Sequence, residues 1–337
     1  MPEEPTPIPT IRWSTEARGV RILDQRRLPR REAYIEIHTP AQMISAIRSL
    51  AVRGAPALGI AGAYGVALAA HRALDAGDDP LKASLRAAKR VASARPTAVN
   101  LRRGVELAVE RARTGALQDL ESVGDRLLEE DLAASRAMAA NGVDLVPPGR
   151  RVLTHCNTGG LATGGLGTAL AVIRLAAAQG RIPEVLVDET RPLLQGSRLT
   201  LWELLRAGIP ARLLPDGAAA WAMRRLDVGC VMVGADRVAA NGDAANKIGT
   251  YGVALAAAAH GIPFYIVAPT TSFDLATPDG EAIPIEERAP EEVLRAGGWR
   301  RTDGVLAFNP AFDVTPARLI AGWVTERGVE RPPFPGT

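Results

Sequence analysis

Cys156 ends a run of apolar, strand-forming residues and opens the glycine-rich loop CNTGG (156–160). A thiol at a strand end near a helix N-terminus tends towards the reactive thiolate. A cysteine that follows an apolar strand is more often a buried packing residue. Position alone therefore leaves a catalytic and a structural role open for Cys156. Cys230 lies inside an apolar run and is predicted to be a core residue.

His155 immediately precedes Cys156. Neighbouring residues on a strand point to opposite faces, so a Cys–His dyad is not expected and His155 is predicted to be structural. Nowhere in the sequence do His, Cys and carboxylate residues show the spacing of metal ligands, and no metal is expected.

Asp236 ends a second apolar run, VMVGAD, and provides a carboxyl group at another strand tip. In an apolar pocket such a group favours its protonated form and could donate a proton near neutral pH. A helix cap or an ion pair with Arg237 would use the same position structurally. Asn246 and Lys247 are expected to begin the next helix, where they could hold a sugar hydroxyl and a phosphate.

The loop after Cys156 has the composition of an anion site, because glycine frees backbone amides in front of a helix N-terminus. Its candidate phosphate-binding residues are Thr158, Gly159 and Gly160. The loop matches neither GxxxxGK[ST] nor GxGxxG, which disfavours a nucleotide and leaves a sugar phosphate as the better ligand. A loop that merely enters a helix is the structural alternative.

Polar breaks between apolar segments carry further multi-donor side chains suited to phosphate and hydroxyl groups. Arg53 lies in RGA (53–55) and Arg95 in ARPTAVN (94–100), while Arg191, Gln195 and Arg198 lie in DETRPLLQGSRLT (188–200). Each arginine taken alone is more often a solvated surface residue.

Alternating strands and helices follow the turn-prone PPGRR (147–151) and must position most of these residues. The predicted strands are apolar throughout, as in a parallel sheet covered on both faces: RVLTHC, EVLVDE, ARLLP, GCVMVGAD and PFYIVAP. We therefore predict an α/β fold with a Rossmann-like C-terminal domain over residues 148–337. Ligands of such sheets bind beyond the carboxyl ends of the strands, where Cys156 and Asp236 are expected.

Residues 1–147 are predicted to form a smaller, mainly helical domain. It begins with a short β unit, a β-hairpin with the runs IRW, VRILDQ and AYIEIHT, and continues with helices from about residue 40. The apolar stretch 55–70 is shorter than the roughly 20 residues that span a bilayer. A buried helix, and no membrane contact, is therefore expected.

Composition is that of a globular protein, with 47% hydrophobic and 23% charged residues. The net charge of +3 comes without a lysine- or arginine-rich block, which favours small anions over nucleic acid. With only two cysteines and an acidic, proline-rich start unlike a signal peptide, the chain is expected in the reducing cytoplasm.

Several motifs together resemble the methylthioribose-1-phosphate isomerases, a family related to the regulatory subunits of eukaryotic initiation factor 2B. The matching stretches run through nearly the whole chain: RGAPALGIAGAYG, RPTAVNL, LTHCNTGGLAT, DETRPLLQGSRLTLWEL and VGADRVAANGDAANKIGTYGVALAAAAHGIPFYIVAP. The combination of THCNTG with VGADR and NGDAANKIGT is highly specific.

The resemblance implies isomerisation of 5-methylthioribose 1-phosphate to 5-methylthioribulose 1-phosphate in methionine salvage, by a homodimer without a cofactor. It implies that Asp236 is the proton donor and Cys156 its catalytic partner, as a base in an enolate route or a stabiliser of charge in a hydride shift. The residues that it implies for substrate binding are Arg53, Gly54, Ala55, Arg95, Gln195, Asn246 and Lys247. A ribose 1,5-bisphosphate isomerase, a non-catalytic exchange-factor subunit and, less favoured, a Rossmann dehydrogenase remain as alternatives.

Overall fold

The change of pattern along the chain corresponds to two compact units. A computed structural model describes residues 5–95 and 98–331. The helical unit comprises Thr6–Ser135 and Gly159–Gly167, and the sheet unit comprises residue 5, Arg136–Thr158 and 168–331. This division differs from the single boundary expected at PPGRR (147–151), since residues 136–147 belong to the sheet unit and the loop 159–167 belongs to the helical unit.

The helical unit begins with an antiparallel meander, as the short apolar runs predicted. Its strands are β1 (Ile11–Ser14), β2 (Gly19–Leu23) and β3 (Tyr34–Ile37), in the order β1-β2-β3. Val20 and Ile22 alternate with Arg21 on the central strand and are fully buried, so one face of the sheet supplies part of the core.

Five helices follow the meander. They are α1 (Pro40–Arg48), α2 (Ala55–Ala76), α3 (Pro80–Ala92), α4 (Val99–Arg113) and α5 (Ser122–Gly142), the last of which runs on into the sheet unit. Thr39 and Gln42 form a capping box at the start of α1, where each side chain satisfies a backbone N–H group. The helix ends before the apolar pattern does, because Leu50 adopts a left-handed backbone conformation with φ of 60°.

Helix α2 is the one described helix that is long and apolar enough to cross a membrane by length and composition. It has 22 residues and therefore exceeds the apolar stretch 55–70. In its most apolar window 83% of the residues are buried inside the protein. Burial on all sides accounts for the near-continuous apolar sequence, and α2 is the core helix that the sequence predicted.

Small residues bring α2 and α4 into close contact. The α carbon of Gly104 lies so near α2 that an added Cβ would be 1.9 Å from the carbonyl oxygen of Gly59. An added Cβ at Gly62 would likewise lie 2.7 Å from the carbonyl oxygen of Leu101. The two helices thus pack backbone against backbone.

Gly104→Ala is expected to lower the free energy of unfolding by about 2–3 kcal/mol, because the new methyl group meets a rigid carbonyl and forces the helices apart. Denaturant unfolding measures the change. Gly252→Ala is the matched control, since Gly252 lies in a helix with no atom within 4 Å of an added Cβ. That control should gain up to about 1 kcal/mol from helix propensity. Equal stability of Gly104→Ala and the wild type would contradict the close packing.

The sheet unit is built on a seven-stranded sheet in the order β14-β13-β10-β7-β4-β5-β6. These strands are β4 (Arg151–Thr154), β5 (Val185–Asp188), β6 (Ala211–Leu214), β7 (Val228–Val233), β10 (Phe264–Val267), β13 (Gly322–Thr325) and β14 (Gly328–Glu330). All neighbours pair in parallel except the β13–β14 edge pair. Every residue of β5, β7 and β10 is buried, which confirms the Rossmann-like sheet read from the apolar runs.

Helices α6 to α9 connect successive strands, and a short α10 lies in the long connection between β10 and β13. Their bounds are α6 (Ala169–Ala178), α7 (Leu201–Arg206), α8 (Ala219–Arg225), α9 (Thr250–Ala259) and α10 (Glu291–Leu294). A π-helical turn, Gly196–Thr200, leads into α7.

The structure contains a second sheet of four strands, in the order β11-β8-β9-β12, which the sequence patterns did not predict. It consists of β8 (Arg237–Ala239), β9 (Ala244–Lys247), β11 (Phe273–Asp274) and β12 (Phe312–Thr315). The prediction that Asn246 and Lys247 begin a helix is therefore wrong, because both lie on β9 and α9 starts at Thr250. Their strand pairs with β12, more than sixty residues later, and a local pattern carries no sign of such a partner.

Candidate active site

Cys156 follows β4 at the carboxyl end of the sheet, with 7% of its surface exposed. Its φ of 62° places a non-glycine residue in the left-handed region, a conformation that needs support from its surroundings. The support comes from two threonines: the Cys156 N–H donates to Thr190 Oγ1 at 2.8 Å, and its carbonyl accepts from Thr200 Oγ1 at 2.6 Å. Both main-chain groups of Cys156 are thus engaged by threonine hydroxyl groups.

The next residue is fixed by the same segment of chain. Asn157 Nδ2 donates to Thr200 Oγ1 at 3.1 Å and to the buried carboxylate of Glu203 at 2.8 Å. The segment 188–200, which suggested ligand-binding side chains, therefore also forms the support of the cysteine loop. Thr190 and Thr200 were missed, because the interactions of a hydroxyl group with a distant backbone leave no trace in sequence spacing.

Asp236 lies at the neighbouring strand end. Strands β4 and β7 pair in parallel, with Leu153 opposite Val231, so both chains leave the sheet at the same edge. The contact continues beyond the strands, since a Cβ added at Gly234 would lie 2.9 Å from Cγ2 of Thr158. The structure therefore brings together the segments that carry Cys156 and Asp236, as expected for strand tips of one sheet.

The surroundings of Asp236 differ from the expectation. The residue is exposed to solvent, whereas proton donation near neutral pH was considered for a carboxyl group in an apolar pocket. The chain leaves the buried sheet after Val233 and turns into β8, where the Asp236 N–H donates to the carbonyl of Ala245 at 2.9 Å. Arg237, the other partner considered for this carboxylate, pairs with Asp274 at 3.4 Å.

Two buried side chains near the cysteine loop have oxygen atoms without a hydrogen-bond partner among the described residues: Thr158 Oγ1 and Gln195 Oε1. Each side chain is 7% exposed. A buried polar atom left unpaired is costly, and it becomes favourable when a ligand supplies the missing group. Gln195 Oε1 and Thr158 Oγ1 can therefore each accept a hydrogen bond from a ligand.

Asn246 and Lys247 end β9, the strand to which Asp236 is bonded. Asn246 is buried and donates through Nδ2 to Thr250 Oγ1 at 2.9 Å. Lys247 Nζ donates to the carbonyl of Ala311 at 2.6 Å and lies 4.4 Å from the ring centre of Phe312. Their place beside Asp236 comes from the second sheet and not from a helix start.

The remaining predicted residues lie in the helical unit. Gly54 caps α2 with φ of 93°, and a Cβ there would be 2.2 Å from the carbonyl oxygen of Ala162, so RGA (53–55) lies directly against the loop that contains Gly159 and Gly160. Arg53 is partly buried, as is Arg95, which borders residues outside the described range.

The glycine-rich loop does not offer a continuous row of amides to an anion. In its second half the N–H groups donate within the protein, those of Ala162 and Thr163 to loop carbonyls, and that of Gly164 to Asp131. The amides of Gly165 and Gly167 donate to Thr163 Oγ1. At the beginning of the predicted phosphate loop, Gly159 forms an isolated β-bridge with Gly167 and the Thr158 carbonyl accepts from Thr168, while Thr158 Oγ1 has no partner among the described residues.

Asp131 holds this loop from α5, accepting the Gly164 N–H at 2.6 Å. Burial raises the pKa of Asp131 from 3.8 to about 6, against the lowering effect of that hydrogen bond. The folded state binds this proton more tightly than the unfolded chain does. The contribution of Asp131 to the free energy of unfolding is therefore greatest below pH 4 and is lost as the pH rises through 6.

Asp131→Asn should therefore be more stable than the wild type at pH 7, by about 1–2 kcal/mol after allowance for partial exposure. The amide oxygen can still accept from Gly164, so the loop keeps its anchor. Denaturant unfolding at several pH values measures the difference, which should shrink towards zero between pH 6 and 4. A difference that is independent of pH would contradict a titrating Asp131.

His155 is fully engaged away from the cysteine. Its Nδ1 lies 3.0 Å from Asp188 Oδ2 and its Nε2 lies 2.9 Å from the Ile248 carbonyl oxygen, which agrees with the expected structural role. Burial is the largest single effect and lowers the pKa of His155, but the hydrogen bond and charge of Asp188, the Ile248 carbonyl and Asp216 together outweigh it, and the net shift is upward. Burial raises the pKa of Asp188, and His155 only partly opposes this. Both shifts act to retain a proton within the pair.

Asp216 completes a cluster that sequence spacing did not suggest. One ligand-type atom each of His155, Asp188 and Asp216 lies within 4.8 Å of the others. The Asp216 carboxylate already accepts the N–H groups of Thr190 and Arg191, at 2.7 and 2.6 Å. A metal ion would have to displace these bonds as well as those of His155, so the cluster is arranged for hydrogen bonding.

A buried thiol and a carboxylate at adjacent strand tips of a Rossmann-like sheet, with polar side chains around them, define a protein that acts on a small polar molecule. The sequence profile of the initiation factor 2 subunit family matches residues 51–332, and the chain belongs to this family.

Similar proteins cover almost the entire chain. A methylthioribose-1-phosphate isomerase of Anaeromyxobacter sp. (strain Fw109-5) is 51% identical, over 98% of this chain and 96% of the relative. The crystal structure of 5-methylthioribose 1-phosphate isomerase from Pyrococcus horikoshii OT3 superposes with a TM-score of 0.90 at 39% identity, covering 99% and 96% of the two chains. A structure described as translation initiation factor eIF-2B, subunit delta, from A. fulgidus has a TM-score of 0.85 at 41% identity, with 97% of each chain covered.

Proposed function

We propose that this protein is an aldose–ketose isomerase that converts 5-methylthioribose 1-phosphate to 5-methylthioribulose 1-phosphate in methionine salvage. The observation that supports the proposal is the parallel pairing of β4 and β7, the two strands that lead to Cys156 and Asp236 at one edge of the sheet. It occurs in a chain about half identical to methylthioribose-1-phosphate isomerases over nearly its full length.

The chemistry explains why a thiol and a carboxyl group are needed together. The anomeric carbon of the substrate carries phosphate, so the furanose ring must open with the phosphate still attached. In the proposed mechanism Asp236 donates a proton to the ring oxygen as the bond from that oxygen to C1 breaks. Hydrogen then moves from C2 to C1: Cys156 either removes the C2 proton and returns it to C1, or stabilises charge while a hydride migrates. The C2 hydroxyl group loses its proton as the ketone forms, and transfer of that proton to Asp236 restores the acid.

Substrate binding is assigned to seven residues by resemblance: Arg53, Gly54, Ala55, Arg95, Gln195, Asn246 and Lys247. In the sheet unit, the buried unpaired oxygen of Gln195 supports this assignment, as does the position of Asn246 and Lys247 on the strand bonded to Asp236. Thr158, with Gly159 and Gly160 following, is proposed to contact the phosphate, and the buried Thr158 Oγ1 without a partner among the described residues supports this proposal.

The direct test is an assay of the purified protein with 5-methylthioribose 1-phosphate, with ribose 1,5-bisphosphate alongside. We expect turnover of the first and little or none of the second, which carries a phosphate in place of the apolar methylthio group. Deuterium at C2 separates the two routes: label retained at C1 indicates hydride transfer, and label lost to water indicates an enolate. Absence of turnover would refute the proposed function.

A non-catalytic subunit of a translation initiation factor is the second candidate, favoured by the similarity to the A. fulgidus structure. A protein of that kind needs neither a thiol nor a carboxyl group at these strand ends. Co-purification with a translation factor, together with no isomerase turnover, would support this candidate over the enzyme.

We also propose that the protein is a homodimer of the reducing cytoplasm. The family resemblance supports the dimer, and the low cysteine content supports the compartment. Light scattering should give twice the chain mass of 35.6 kDa. A mass equal to that of one chain would contradict the dimer.

A further inference from the structure

The imidazole of His155 lies between the Ile248 carbonyl and the Asp188 carboxyl group. A carbonyl oxygen can only accept a hydrogen bond, and a carboxyl group can donate one only when it is protonated. The Ile248 carbonyl oxygen is an acceptor, so Nε2 must carry a proton to bond it at 2.9 Å. A neutral imidazole carries one ring proton and would then have only a lone pair to offer Asp188 Oδ2, 3.0 Å from Nδ1. The short contact therefore requires one more proton, on Nδ1 or on the carboxyl group.

The charges around the pair favour Nδ1 of the imidazole as the site of the additional proton. His155 and Asp188 are 1% and 0% exposed, so water cannot compensate an unbalanced charge. Asp216 adds a second carboxyl group to the cluster, and Asp313 interacts with the imidazole electrostatically from β12. Glu189 adds a further negative charge that acts on Asp188, and Lys247 is a cation that acts on Asp313. A positive imidazolium balances this excess of carboxyl groups, while a neutral ring does not.

The two contacts connect parts of the candidate site that are far apart in sequence. His155 is joined to Cys156 by a peptide bond, and Ile248 follows the proposed substrate-binding residue Lys247. The turn beyond it is closely fitted: Gly249 has φ of 105°, and a Cβ there would lie 2.7 Å from Cε1 of the imidazole. Asp313 holds the other side of the turn, accepting the Gly249 N–H at 2.7 Å.

We propose that His155 is a positioning residue. Its imidazole is doubly protonated and forms an ion pair with Asp188, and it fixes the end of β4 next to Cys156 relative to the β9–α9 turn, which follows Asn246 and Lys247. This inference rests on the proposed function for its catalytic meaning. The protonation state that it assigns can be measured without any assay.

The first measurement is NMR of wild-type protein labelled with ¹⁵N in its four histidines. One-bond N–H couplings report whether each ring nitrogen is protonated, and His155→Gln identifies the signals of His155. We expect both nitrogens of His155 to be protonated at pH 7.5. An unprotonated Nδ1 would overturn the proposal.

The second measurement is steady-state kinetics with 5-methylthioribose 1-phosphate. His155→Gln should lower kcat and raise KM, each by about tenfold, because both the thiol and the substrate-binding residues are displaced. Partial unfolding alone would lower kcat and leave KM unchanged, and such a result, or wild-type constants, would overturn the positioning role. His260→Gln, at the exposed end of α9, is the control and should match the wild type.

Asp188→Asn gives an independent check. Its amide can donate to a neutral Nδ1 while Nε2 keeps its bond to Ile248, so the geometry survives without the charge. We expect this variant to retain more activity than His155→Gln and to have an unprotonated Nδ1; less activity than His155→Gln would argue against positioning as the role. A wild-type protein without isomerase turnover would refute the proposed function, while the NMR result would still decide the protonation state.

Discussion

Cys156→Ser should abolish isomerisation while the protein remains folded, with kcat reduced by about a thousandfold or more. The hydroxyl group of serine fits the space of the thiol, but it is a far weaker acid and far less polarisable than sulfur. The backbone at this position is held by Thr190 and Thr200, which do not depend on the side chain. Steady-state kinetics and thermal unfolding of the variant measure the two effects separately.

Cys230→Ala is the matched control for this substitution. Cys230 is fully buried inside β7, and burial raises the pKa of its thiol to about 12, so it stays protonated and inert. We expect near wild-type kcat and a loss of about 1 kcal/mol of stability from the small cavity. A Cys156→Ser variant as active as Cys230→Ala would remove Cys156 from the mechanism.

Asp236→Asn is expected to lower kcat by about a hundredfold or more, because the amide preserves shape and hydrogen bonding but cannot release a proton to the ring oxygen. KM should change much less than kcat, since the loss falls mainly on the transition state. Asp236 is exposed and lies beyond the buried sheet, so the substitution should leave the unfolding temperature unchanged.

Asp227→Asn tests whether removing another carboxylate beside β7 lowers kcat as much as Asp236→Asn does. Asp227 immediately precedes β7, at the end of the strand opposite to Asp236, and its side chain is exposed. Its φ of 50° is well tolerated by asparagine. The control should retain wild-type turnover, and equal losses in the two variants would indicate a general electrostatic effect and no specific proton donor.

Sequence patterns predicted the main sheet and the helices well, because both depend on local periodicity and burial. The strands β4, β5, β7 and β10 are continuous apolar runs, and the core helix α2 is apolar on all sides. The placement of Cys156 and Asp236 at one edge then followed from a general rule of parallel sheets. The family resemblance added the roles of individual residues.

The second sheet could not be predicted from local sequence patterns, because its strands depend on pairing between residues far apart in the chain. Strand β9 has the sequence AANK, which has no strand character of its own and is stabilised by pairing with β12. The solvent exposure of Asp236 depends on the same sheet, since β8 draws the chain away from the buried strand end. The hydroxyl contacts of Thr190 and Thr200 are also tertiary, and spacing along the chain does not encode them.

The division of the loop after Cys156 has a consequence for dissecting this protein. Residues up to Thr158 belong to the sheet unit, and Gly159–Gly167 belong to the helical unit. A fragment that ends at residue 147 would lack the stretch whose Gly160 carbonyl accepts from Thr10 and whose Gly164 amide binds Asp131. A fragment that begins there would carry that stretch without its partners. No single cut of the polypeptide yields either unit whole. Truncation at one position therefore cannot produce either unit with all of its segments.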